Sequence, residues 1–73
     1  MESTLNEKEI KLFSFEKANS EQVRGSETVF HGNHYFDLRI FTKLANGDYV
    51  PTKKGITINM ALLPSLKEEL NKI

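Results

Sequence analysis

The stretch HYFDLRIFTKL, residues 34–44, alternates in character with a period of two over eleven positions. Side chains in an extended strand point to opposite faces in turn. One parity collects Phe36, Leu38, Ile40, Thr42 and Leu44, an almost wholly apolar set that belongs on the core, covered by the C-terminal helix. The other collects Tyr35, Asp37, Arg39, Phe41 and Lys43, in which rings stand among charges. A helix would mix the two sets, so this segment commits the chain to a sheet with one apolar face. A face that only meets water seldom needs two aromatic rings. The mixed face therefore suits either a seam between two copies or a platform for unpaired bases. In the second case rings stack on bases while lysine and arginine follow the phosphates. The pattern alone leaves both open.

The rest of the chain supplies partners for that strand. IKLFSFEK (10–17) has the bulky residues of a strand. ANSEQVRGSE (18–27) is polar and contains Gly25, which predicts a loop, a bulge or a weakly formed strand. TVFHG returns to strand character, and Gly32-Asn33 then predicts a tight hairpin turn, because both residue types tolerate positive φ. Asn46-Gly47 is a second turn signal, DYVPT a short strand whose Pro51 suggests an edge, and GITIN (55–59) alternates again. At the C-terminal end Leu63, Leu66, Leu70 and Ile73 recur at steps of three and four, an amphipathic helix. Asn59 is a good cap for it. Pro64 removes one intrahelical bond, so residues 60–63 are expected as an irregular turn and 64–72 as the regular helix, with Glu68 and Lys72 paired. The fold class is α+β: an antiparallel sheet of four to five strands followed by one C-terminal helix. Its domain is expected over 10–73, after a flexible tail at 1–9.

A domain of 73 residues buries only about 60% of its unfolded surface. The chain has no cysteine, hence neither disulfide nor thiolate metal site. Small folds without such staples gain stability by association, so a homodimer is expected. The polar, acidic start lacks the pattern of a secretion signal, and the apolar runs are too short to span a bilayer. A soluble intracellular protein is the expectation. Ten basic and ten acidic residues cancel overall, but residues 1–21 balance to −2 and residues 22–58 to +2. Lys53 and Lys54 contribute to that central excess, side by side before Gly55.

No catalytic grouping emerges. His31, His34 and Asp37 are separated by a turn and by strand alternation, so no metal site is expected. PTKKG lacks the spacing of a phosphate-binding loop, and the serines have no evident histidine and acid partners. Asp37 and Arg39 share a face and suit a structural ion pair. The chain is therefore expected to be a binding protein rather than an enzyme, with no cofactor.

Asp37-Leu38-Arg39, the turn at Gly47, Pro51, Lys54-Gly55-Ile56 and a helix with Leu66 and Lys67 stand in a familiar order. Phe30-His31-Gly32 precedes them. Over residues 26–70 the chain resembles the single-stranded-DNA-binding domain of the positive cofactor four family of transcriptional coactivators. It is most similar to a bacterial or phage member. The resemblance implies a strongly curved sheet, a homodimer joined through helix and sheet, and grooves that hold single-stranded DNA. It implies that Phe30 stacks on a base and that Arg39 and Lys54 meet the backbone, with Lys53 beside them. His31 and Asn33 stand where the family has basic residues. Thr42 stands where it has a large ring, which leaves Phe41 or Tyr35 as substitutes. With Lys43 from the mixed face, the expected site is Phe30, His31, Asn33, Arg39, Phe41, Lys43, Lys53 and Lys54. The expected partners are single-stranded DNA and a second copy, together with proteins of transcription or replication. Sequence-tolerant binding would serve transcription, replication or recombination, in the cytoplasm or nucleoid of a bacterium or phage host, or in a eukaryotic nucleus. A structural or protein-interaction dimer and a single-stranded-RNA binder stay open as alternatives.

Overall fold

The computed structural model describes residues 8–73. Four strands follow one another as an antiparallel meander: β1 (Lys8–Ala18), β2 (Glu21–Phe30), β3 (Asn33–Lys43) and β4 (Tyr49–Asn59), in the spatial order β1-β2-β3-β4. A 3-10 turn, Met60–Leu62, leads into the helix α1 (Leu63–Leu70). Each strand meets its sequence neighbour, so short hairpin turns suffice. The β2–β3 turn is built on His31 (φ 52°) and Gly32 (φ 76°). Both central residues lie at positive φ, the conformation whose twist matches the flanking strands. The turn thus falls one residue earlier than Gly32-Asn33, and Asn33 already pairs with Phe30. At the β3–β4 turn the Gly47 amide donates to the Leu44 carbonyl (2.9 Å), and Asn46 Oδ1 accepts from the Asp48 amide (2.9 Å).

Of the three readings of residues 18–27, the strand is the one that forms. From Glu21 onward these residues form β2, a central strand in which Gln22, Gly25, Ser26 and Thr28 are buried. Its neighbours on both sides cover it, so small and polar residues suit it better than bulky ones. At Gly25 a Cβ would collide with the Phe13 ring, which β1 lays across it. Lys8 and Glu9, expected in the flexible tail, belong to β1; the rest of that tail lies outside the described residues.

DYVPT and GITIN are one strand rather than two. The interruption between them is a bulge: the step from Arg39 to Phe41 on β3 faces the longer step from Gly55 back to Pro51 on β4. Thr52 fastens it, donating from Oγ1 to the Ile40 carbonyl (2.8 Å) and accepting from the Lys54 amide (3.2 Å). Gly55 is required by close approach, since a Cβ there would stand 2.5 Å from the Leu38 carbonyl oxygen. Lys53 and Lys54 lie on this bulge and are exposed.

The helix begins as its chemistry requires. Asn59 Oδ1 accepts from the Ala61 amide (2.9 Å), capping the 3-10 turn, and Pro64 falls in the first turn of α1, where a missing amide costs little. The helix ends at Leu70 rather than 72, and Lys72 pairs with Glu69 (3.0 Å) instead of Glu68. Its expected role as a lid on the apolar face is not what the fold shows. No residue of α1 is buried, and the main approach to β3 is made by the Met60–Leu62 turn. The two buried apolar side chains, Phe36 (3% exposed) and Phe41 (5%), lie on opposite faces by strand alternation. No helix among the described residues is long and apolar enough to cross a membrane.

Candidate nucleic-acid interface

Unbroken register between β2 and β3 fixes which side chains share a face. Thr28 stands opposite Tyr35, Ser26 opposite Asp37, Arg24 opposite Arg39, and Gln22 opposite Phe41. This is the mixed face, and it carries an open groove of about 670 Å³. Phe30 and Tyr35 line it, with Phe41 and Pro51 further along and Arg39 and Lys53 supplying positive charge.

Arg39 is held in place by its neighbours. Its Nε and Nη2 donate to the two carboxylate oxygens of Asp37 (3.0 and 2.8 Å), and its Nη1 donates to the Thr52 carbonyl (3.0 Å). Asp37 also accepts from Thr57 Oγ1 (2.6 Å). Hydrogen bonding to Asp37 raises Arg39 above its ordinary pKa, outweighing partial burial, with smaller help from the charges of Asp37 and Glu9. The pair thus holds Arg39 as a cation. It braces β3 against the β4 bulge and uses most of the guanidinium donors, as a forked pair does.

The expected site residues divide between groove and periphery. Phe30, Arg39, Phe41 and Lys53 line the groove. His31 lies against Phe30 at the turn, ring centroids 4.1 Å apart, and Asn33 stands exposed across from Phe30. Lys43, exposed at the far end of β3, and Lys54, exposed on the bulge, are not among the lining residues. Phe41 is a floor rather than a free ring. The Arg24 guanidinium covers it, 4.1 Å from the ring centroid. Thr42 stands on the apolar face by parity, whereas Tyr35 and Phe41 stand on the groove face, so neither ring lies on Thr42's side of the sheet. Tyr35 lines the groove beside Phe30.

Sequence reasoning missed Thr28, Thr52 and Glu9, which line the groove, and Arg24, which shares its face. Arg24 was left unplaced because 18–27 stayed open between loop, bulge and weak strand, although a strand there in antiparallel register with 34–44 puts it on the face of Arg39. Among the described residues no cluster of histidines and carboxylates could hold a metal ion. His34 Nδ1 instead lies 2.8 Å from Glu27 Oε2.

An open four-stranded meander followed by a helix, with a trough of rings and cations on one face, defines the class of this protein. The family model of Transcriptional Coactivator p15 (PC4) matches residues 17–69, and the chain belongs to that family. A PC4 homologue from Burkholderia pseudomallei is 28% identical and superposes with a TM-score of 0.80, covering 88% of this chain and 86% of that one. A second crystal form of it gives 0.77 at 28% identity, over 86% and 93% of the two chains. The bacteriophage T5 homologue of the eukaryotic coactivator PC4, implicated in recombination-dependent DNA replication, shares the fold at a TM-score of 0.63, with 24% identity over 86% and 70%. No curated protein matches.

Proposed function

We propose that this protein binds single-stranded DNA with little sequence preference, as a homodimer, in transcription, replication or recombination. The observation that carries the reading is the groove face. Phe30 and Tyr35 stand beside Arg39 and Lys53 in an open trough, on a sheet whose family comprises transcriptional coactivators. Rings of this kind accept any base on their π-face, and cations hold the phosphates.

The opposite face supports the dimer. Phe13, Phe15, Ile56, Leu62 and Leu70 are each 42–58% exposed there or on the adjoining turn and helix. A sheet with an apolar face requires a second layer, and among the described residues this chain does not provide one. A second copy does so without covering the groove. Titration of labelled oligonucleotides over a range of salt, alongside the solution mass, tests both parts. The expected result is a dimer that prefers single strand to duplex, with affinity falling steeply as salt rises. Equal affinity for duplex and single strand, or none at low salt, refutes DNA binding by this groove. A matching affinity for an RNA oligomer would assign it to unpaired strands of either sugar.

A further inference from the structure

The groove does not end at Arg39. It continues into a smaller hollow of about 250 Å³ that shares Glu9, Phe41 and Pro51 with the larger one and adds Arg24 and Lys11. The charge of the two parts differs. In the larger part Arg39 and Lys53 face Asp37 and Glu9, two against two, and Arg39 is spent on Asp37. In the smaller part Lys11 and Arg24 face Glu9 alone.

Arg24 has an unusual placement. It stands directly across the strand pair from Arg39, a like-charge pairing that disfavours the sheet. Among the described residues no carboxylate pairs with it. Its Nε and Nη2 both donate to Gln22 Oε1, and its guanidinium carbon stands over the Phe41 ring, 4.1 Å from the centroid. Gln22 is buried, so the tether is fixed. The fold gains a cation–π contact but would lose the cross-strand repulsion if the residue were neutral. A guanidinium held over a ring, with its edge tethered, keeps the side turned away from that ring for another group, and it lines the hollow.

We propose that this hollow is a second nucleotide station, in which a base stacks on the outer face of Arg24 and its phosphate meets Lys11. It rests on the single-stranded-DNA reading of the groove and extends the path of the strand from Phe30 and Tyr35 across to β1. Guanidinium planes accept bases as aromatic rings do, and an ammonium cannot replace them in that role. Gln22 is a positioning residue, acting through Arg24.

Full-length wild type, Arg24→Ala, Arg24→Lys and Lys11→Ala are titrated with a labelled oligothymidine. The same measurement uses an oligomer of equal length whose central nucleotides are abasic, which keeps the phosphates and removes the bases. Arg24→Ala is expected to weaken the base-bearing oligomer about tenfold and the abasic one far less. Arg24→Lys is expected to retain the salt slope yet recover little of that loss, and Lys11→Ala to weaken both oligomers equally. Should Arg24→Ala fail to fold in a melting control, Arg24→Lys carries the test. Wild-type affinity in Arg24→Lys, or an equal loss on both oligomers, overturns the stacking station while leaving the parent reading intact. Failure of the wild type itself to bind either oligomer removes both.

Discussion

The two faces of this sheet are finished to different degrees. On the groove face the chain satisfies itself: Asp37, Arg39, Thr52 and Thr57 close a hydrogen-bonded network across β3 and β4, and Arg24 is tied to Gln22 and Phe41. On the opposite face Phe36 is buried beneath Phe13, ring centroids 6.2 Å apart, while Ile56 and the helix leucines stay open. Polar groups can be satisfied pairwise within one layer, whereas apolar surface needs a second layer to leave water. The face rich in charge is therefore the preorganised one, and the face rich in hydrocarbon is the one that waits for a partner.

The largest effect is expected where the finished face depends on one carboxylate. Asp37→Ala leaves Arg39 half-buried without its counter-ion and frees Thr57 from its acceptor. Removing one partner of such a pair costs about 3–5 kcal/mol. Thermal melting should show a large fall, and oligonucleotide affinity should drop with it because the bulge that carries Lys53 loses its brace. A melting point within a few degrees of wild type would mean that the network is decoration. Next in size is a break of the unfinished face. Ile56→Asp puts a charge where the proposed dimer buries apolar surface, forfeiting about 1.5–3 kcal/mol per copy. Sedimentation should show the mass of a single chain at concentrations where wild type is paired. A dimer of unchanged mass would place the seam elsewhere.

Phe30→Ala sharpens the comparison from the groove side. It removes one half-buried ring that lines the groove and no hydrogen bond, so oligonucleotide affinity should fall by about 1–3 kcal/mol, more than the melting point would suggest. A melting loss without a binding loss would make Phe30 a packing residue of the β2–β3 turn.

How far the sequence reveals these faces depends on which signal each residue leaves. Strict alternation over 34–44 exposes both faces of β3, and the Leu63, Leu66, Leu70 spacing exposes the helix, because each is a local period. Pro64 and Asn59 place the irregular turn before the helix through backbone chemistry alone. β2 is illegible for the opposite reason. It is covered on both sides, so Gly25 and Ser26 are chosen by the bulk of neighbours such as Phe13, which no local pattern records. Arg24 disappears with it, one of the four cations that line the groove and its adjoining hollow. The Lys53-Lys54 bulge is hidden likewise, since its cause is the hydrogen bond of Thr52 to Ile40, twelve residues away. The lid expected over the apolar face misplaces an inference that is itself correct: helix and sheet are both amphipathic, but periodicity cannot say whether they meet within one chain.

The smallest effect separates the two adjacent lysines. Both are exposed on the bulge, but only Lys53 lines the groove. A phosphate contact to a single strand adds about 0.7 to the slope of log affinity against log salt. Lys53→Ala should remove roughly that much slope and a modest part of the affinity. Lys54→Ala should leave the slope within error, because its ammonium starts outside the trough and carries only long-range attraction that salt screens. The two variants share backbone position, exposure and charge change to within one residue, so any difference reports which way the bulge aims its side chains. Equal losses of slope would mean that the bound strand leaves the groove over β4 and passes both lysines. A loss confined to Lys54→Ala would reverse the assignment and move the strand's path to the other side of the bulge.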